Sequence, residues 1–180
     1  MTIDELISPD YRAEQIRLHA GPRAYGERGS KWSDAVDALA SAYNCASILD
    51  YGCGQGSLAA RLLENGCLLC IHQYDPARVG IEASPEPADL VVCTDVLEHV
   101  EPDKIEAVFD HLCGLARKVL FLSIALTDTE HRLSDGRSTH LILKPIDWWG
   151  KRLTARGWRI AEEPTVSKPE KQWASVWLRC

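Results

Sequence analysis

Ile48-Leu49-Asp50-Tyr51-Gly52-Cys53-Gly54-Gln55-Gly56-Ser57 is the stretch on which the reading of this chain turns. Residues 46–50 form a short, mostly apolar run, the pattern of a strand buried on both faces. The glycines end it, and residues 58–63 continue as a helix that stops near Gly66. A strand, a glycine-rich turn and a helix, in that order, build the edge at which doubly wound sheets bind ligands. Glycine lets the backbone turn sharply and approach a ligand closely. Asp50 precedes the first glycine, and its carboxylate would repel a phosphate but attract a cation. Dinucleotide-binding turns place the third glycine three residues after the second, whereas Gly56 follows Gly54 by two. A nicotinamide oxidoreductase is therefore disfavoured.

Outward from this turn, strands and helices alternate. Residues 68–74, 89–93, 119–126, 158–161 and 173–178 read as further strands. Residues 101–116 read as a helix with Ile105, Val108, Phe109 and Leu112 on one face, and residues 146–155 as another, opened by Pro145 and closed by Gly157. Upstream, residues 10–18 and 34–43 read as helices joined by a loop over 21–29. The pattern predicts an α/β fold with a doubly wound, mostly parallel sheet. It also predicts one domain over 1–180, with a helical cap or flap at 1–44 on a core at 45–180.

Composition agrees with this. The chain has 180 residues, 46% hydrophobic and 26% charged, enough to bury roughly 70% of its unfolded surface without staples. The net charge is −6, which disfavours a protein that coats nucleic acid. The two halves differ: residues 1–90 hold 7 basic and 13 acidic residues, and residues 91–180 hold 13 of each. Arg132, Arg137, Lys144, Lys151, Arg152, Arg156 and Arg159 make a local basic stretch. The seven cysteines read as reduced thiols, with Cys67, Cys70 and Cys93 in apolar runs that suit a small buried hydrophobe. Cys67 and Cys70 have CxxC spacing but run into a strand, where a redox pair would open a helix. No basic-then-apolar leader or membrane-length apolar run is visible, so a cytoplasmic protein is expected.

The glycine turn and three later segments resemble the class I S-adenosylmethionine (SAM)-dependent methyltransferases. The first family motif looks like Asp50-x-Gly52-x-Gly54-x-Gly56, whose glycines line the methionine part of SAM. Gln73-Tyr74-Asp75-Pro76 matches the end of the second strand, 25 residues after Asp50, where the family places an acid on the ribose hydroxyls. A carboxylate can accept both hydrogen bonds of a diol, so the chemistry agrees. Residues 88–100 resemble the family's fourth-strand segment and 119–123 its fifth strand, and the last two strands fit its antiparallel hairpin. The resemblance spans about residues 46–178, and the ordered set is far more specific than any single motif. It implies a Rossmann-like fold with SAM as cofactor and Asp50, Gly52, Gly54, Gly56, Tyr74, Asp75, Asp95 and Tyr25 around it. Only residues 76–88 separate the second strand from the next, and Pro85 and Pro87 oppose a full strand–helix unit there. One strand of the usual family is missing, and its adenine-side contacts with it. The set resembles a compact bacterial and phage-encoded branch of the family.

Asp95, Glu98 and His99 would share a face if Asp95 opened a helical turn, and His140 could join them from a later loop. Two carboxylates and two imidazoles suit Mg, Mn or Fe. Ubiquinone-biosynthesis O-methyltransferases and small-RNA 3′-terminal 2′-O-methyltransferases resemble this, with an acid-x-x-Glu-His segment and a later His holding a metal at the acceptor oxygen. The same Leu-Glu-His string also looks like methyltransferases with no metal, in which His99 lines the pocket or packs. His99 and His140 are the candidate catalytic groups, with His131 read as a solvated loop histidine. Of Trp148 and Trp149 one is expected in the core, and the other packs or walls the pocket. The segment 19–32 looks like a flap, from which Tyr25 or Lys31 would meet the SAM carboxylate. The expected reaction is methyl transfer to an oxygen or nitrogen of a small-molecule or terminal-group acceptor. The alternatives are a terminal ribose of a nucleic acid and a non-catalytic SAM-fold binding protein. No membrane partner is expected, and the chain is expected as a monomer or homodimer.

Overall fold

The computed structural model describes residues 1–21 and 25–180; Pro22, Arg23 and Ala24 of the expected flap lie outside them. Six strands form one sheet: β1 (Ser47–Tyr51), β2 (Cys70–Tyr74), β3 (Ala88–Thr94), β4 (Ala116–Ala125), β5 (Trp158–Glu162) and β6 (Gln172–Arg179). Their order is β2-β1-β3-β4-β6-β5. The first four are parallel, and β6 runs antiparallel to both β4 and β5. The cause is visible in composition. Leu90, Val91, Val92 and Cys93 of β3 and Val119 to Leu122 of β4 are all fully buried, so these strands need cover on both faces.

Helices supply that cover. On one face α3 (Ser33–Ala42), α4 (Ser57–Glu64) and a 3-10 turn at Arg28–Trp32 enclose Trp32, Val36, Leu39, Leu58 and Leu62 over Ile48, Val92 and Phe121. On the other, α5 (Ile105–Leu115) and α6 (Ile146–Thr154) bury Phe109, Leu112, Trp149 and Leu153 over Leu49, Val91 and Leu120. The N-terminal α1 (Ile3–Leu6) adds Leu6 to the α5 side of the core, whereas α2 (Pro9–His19) covers neither face of the sheet. Instead α2 is fastened across the carboxyl edge of the sheet. Arg12 Nε donates to Pro76 O at 2.6 Å beyond β2, and Tyr11 OH donates to His99 O at 2.6 Å beyond β3. Ser8 donates from Oγ (2.6 Å) and N (2.8 Å) to Glu101.

The expected architecture is present, including the deletion: residues 75–87 contain no strand or helix, and β2 is the sheet edge. Boundaries moved where local bonding overrides periodicity. The helix expected from residue 101 starts at Ile105, because Glu101 is held by Ser8 and a turn closed by Lys104 N to Glu101 O precedes the helix. Expected burial of Cys67 and Cys70 fails, since Cys67 is half-buried and Cys70 exposed on the edge strand, while Cys93 is buried as expected. All seven cysteines are free thiols. Trp149 is the core member of the tryptophan pair, its Nε1 donating to Lys144 O. Trp148 lies under the Arg152 guanidinium, 3.3 Å from its ring centre, and neither indole walls the cavity described below.

Candidate active site

A cavity of about 510 Å³ opens at the carboxyl edge, between the glycine turn, the turn after β3, the loop after β4 and helix α2. Gly52 and Gly54 shape its floor. Gly52 has φ +72°, and a Cβ there would stand 2.5 Å from a Val96 methyl carbon. Gly54 has φ +52°, and a Cβ there would run into the carbonyl of Gly26, because residues 25–29 lie directly on the turn. Gln55 N donates to that same Gly26 carbonyl at 2.8 Å. Gly56 opens α4 in a left-handed conformation and faces Gln73, and Tyr74 packs in the core against Tyr51, so neither lines the cavity.

Two carboxylates border the floor. Asp75 accepts from Gly54 N at 3.0 Å and Ala77 N at 2.8 Å, so it fixes the shape of the glycine turn from the end of β2. Asp50 Oδ2 is buried and has no hydrogen-bond partner among the described residues. Burial, and secondarily the charge of Asp75, pushes the Asp50 carboxyl up to about 7. A buried, unpartnered carboxylate is costly unless a cation reaches it.

At the opposite wall stand Glu98, His99 and His140, each of which brings a ligand-type atom within 4.8 Å of the other two. Glu98 Oε1 accepts from Ala125 N at 2.8 Å, while Glu98 Oε2 is buried without a partner among the described residues. Burial and then Asp95 hold the Glu98 carboxyl at about 8. His99 Nδ1 pairs with Thr139 O at 2.8 Å, and His140 Nδ1 with Thr127 O at 2.6 Å. Each imidazole therefore carries its proton on Nδ1, donates it to a carbonyl and turns the Nε2 lone pair outward. Burial and the neighbouring His140 keep His99 neutral, down to about 3.

Asp95 departs from expectation. It opens no helical turn: its φ is +55°, and the 3-10 turn covers only Leu97–His99. The left-handed residue still lines the cavity, with its carboxylate taken up by other partners. It accepts from Gln172 Nε2 at 2.6 Å and Ser123 Oγ at 2.9 Å, and pairs with Lys31 Nζ at 3.0 Å. Of the four expected ligands, Glu98, His99 and His140 are the ones whose ligand atoms lie within 4.8 Å of one another. Lys31 is held at Asp95, and Tyr25 OH sits 2.9 Å from Gln15 Oε1 and 3.2 Å from His99 Nδ1, so both side chains expected at the SAM carboxylate are already engaged.

Other residues on the cavity wall went unremarked in the sequence. Tyr11, Gln15 and His19 recur every four residues on α2 and all line the cavity. Gln15 is 7% exposed with Nε2 unpartnered, and His19 Nδ1 is likewise buried and unpartnered. A helix normally turns such groups to water, so the i, i+4, i+8 polar spacing reads as a solvent face. His131 is also a wall residue, its ring 5.3 Å from that of Tyr25, and not a solvated loop histidine. None of the seven basic residues between 132 and 159 lines the cavity. Four of them, Arg132, Arg137, Arg152 and Arg156, are in ion pairs with nearby acids. Among the described residues the Lys and Arg side chains on the wall are Arg28, Lys168 and Lys171.

A glycine turn after β1, an acid ending β2, and a cavity at the carboxyl edge of a sheet that finishes in an antiparallel hairpin define a class I SAM-dependent methyltransferase. The family model for a methyltransferase domain matches residues 24–163, and the chain belongs to that family. No curated protein sequence matches the chain. Among solved structures it is similar to magnesium protoporphyrin IX methyltransferase from Synechocystis PCC 6803 with bound SAM. The identity is 22% and the TM-score 0.61, over 96% of this chain and 92% of that one. It is similar to 1,6-didemethyltoxoflavin-N1-methyltransferase from Burkholderia thailandensis at 16% identity and TM-score 0.60, over 85% and 79% of the two chains. The methyltransferase domain of bacterial CtHen1-C aligns at 14% identity and TM-score 0.63, over 83% and 97%. Among the described residues no helix is long and apolar enough to cross a membrane.

Proposed function

We propose that this methyltransferase transfers the SAM methyl group to a hydroxyl oxygen of a small molecule, and that Glu98, His99 and His140 hold a divalent cation beside that oxygen. The observation that carries the reading is the orientation of the triad. Both imidazoles spend Nδ1–H on backbone carbonyls, and Glu98 Oε2 has no partner among the described residues. This is the second-shell arrangement that orients histidine ligands for a metal. One carboxylate and two imidazoles suit Mn or Fe, with Mg less favoured by the nitrogen donors. A divalent cation there would favour ionisation of the acceptor hydroxyl and align it.

The remaining work falls to the chain. Asp75 supports the glycine turn and has lone pairs left for the ribose diol. Asp50 sets a negative charge where the cofactor is cationic. Helix α2 and residues 25–29 act as a lid: they cover the glycine turn and would shield the sulfonium methyl from water, so that displacement competes little with hydrolysis. Tyr25, touching His99 Nδ1, steadies that ring from the lid. Gln15 and His19 offer donors or acceptors to the acceptor's other polar atoms. Two of the neighbours are named for small-molecule acceptors, a porphyrin and a toxoflavin precursor, which supports a small molecule here.

The test is methyl transfer from labelled SAM to a panel of phenols, catechols and sugars, with EDTA and with added Mn²⁺. The reading predicts turnover that EDTA removes and Mn²⁺ restores, and about 10-fold or greater loss of Mn²⁺ affinity in Glu98→Gln. Turnover that is untouched by EDTA would leave His99 or His140 acting on the acceptor directly and would end the metal reading.

A further inference from the structure

Losing a strand has a second consequence, far from the cavity. In this fold β2 is the outermost strand, and its only sheet neighbour among the described residues is β1. Exposed edges are normally blunted with charge or proline. Here no charged residue and no proline lies between Glu64 and Asp75, and Leu68 beside the strand is 97% exposed. Side chains on β2 alternate. Ile71 packs towards α4 and Gln73 lies against Gly56, which leaves Cys70 and His72 together on the other face, both exposed. Cys70 Sγ and His72 Nε2 stand 3.1 Å apart.

We infer that Cys70 and His72 are half of a zinc site that a second copy of this chain completes by pairing its own β2 edge antiparallel to this one. The geometry fits on three counts. In a tetrahedral zinc site the bond lengths put sulfur and nitrogen about 3.6 Å apart, so the observed pair needs to open by only about half an ångström. Among the described residues the pair has no third ligand within its own chain, because the one converging group of three is Glu98, His99 and His140. An antiparallel pairing centred on Ile71 sets Cys70 opposite the partner's His72 and His72 opposite the partner's Cys70, all on one face. Directly opposite Cβ atoms in such a ladder are about 5 Å apart, and same-face neighbours along a strand about 7 Å, a span that four side chains can close around one ion. A Cys₂His₂ set is a structural zinc combination, with each thiol releasing its proton to solvent as it binds. The same pairing satisfies the free backbone groups of both edges.

The test uses the full chain with Zn²⁺ and with Co²⁺ as a spectroscopic stand-in. Sedimentation should show a dimer that forms only with the metal, at one bridging ion per two chains. Bound Co²⁺ should show the near-ultraviolet thiolate-to-cobalt band, which the sulfur-free Glu98, His99 and His140 set cannot produce. Cys70→Ser and His72→Asn, both at exposed positions, should fold normally and lose dimer and band, while Cys67→Ser should keep both. A chain that stays monomeric with Zn²⁺, a dimer that forms equally without metal, a dimer that survives Cys70→Ser, or bound Co²⁺ with no thiolate band would each overturn the inference.

Discussion

At the scale of single residues the account rests on groups whose surroundings leave them one use. Asp50 is the sharpest. Its carboxyl moves from an ordinary 3.8 to about 7 through burial, so the folded chain without cofactor holds a proton that the unfolded chain has released. This group alone therefore makes stability fall as pH rises from about 4 to about 7 and then level off. SAM is cationic and prefers the ionised form. Its affinity should rise towards pH 7 with proton release on binding and flatten above, and Asp50→Asn should lose the slope; calorimetry in buffers of different ionisation enthalpy measures both. Gly54→Ala places a methyl against Gly26 at a positive φ, so it should push the lid off the turn and cut SAM affinity at least 10-fold. Tyr25→Phe removes the hydroxyl's contacts to His99 and to Gln15, so it should weaken Mn²⁺ binding while leaving SAM binding within about 2-fold. That Asp50, Gly52, Gly54 and Asp75 gather at the cavity was legible because each belongs to a backbone motif, although Gly56 of the same motif faces Gln73 instead. The partners of Asp95 were not legible, because they follow from a single left-handed residue, and no spacing rule signals that.

Elements were legible where one force set them. The parallel strands announced themselves as apolar runs, and the short link after β2 showed the missing strand through its length and prolines. Helix α2 was legible in place, but its role was not: Tyr11, Gln15 and His19 face the cavity, and hydrophobic periodicity cannot flag a face turned to a polar cavity. The paired tryptophans on α6 separate the same way, since only packing decides which indole goes inside. Trp149 is fully buried against α5. Trp149→Ala should cost about 3–5 kcal/mol and lower the melting temperature by roughly 10 °C in calorimetry, whereas Trp148→Ala, on the rim beneath Arg152, should cost less than half of that.

Across the whole molecule the sheet divides labour between its edges and ends. The carboxyl end carries the cavity, with Asp50 and Asp75 at the glycine turn, the Glu98, His99 and His140 triad opposite, and α2 fastened over both from Pro76 to Glu101. The β2 edge, left open by the deletion, is unengaged by this chemistry. The charge asymmetry along the sequence has no counterpart at the site, because the basic stretch after residue 132 largely pairs with local acids, and the cavity draws its cations from Arg28, Lys168 and Lys171. The measurement that tests the account most directly is calorimetric titration of SAM into the wild-type chain and into Asp75→Ala. One SAM per chain with micromolar affinity, weakened at least 10-fold by the substitution, is the result predicted. Binding that is absent from the wild type, or unchanged in Asp75→Ala, would contradict it.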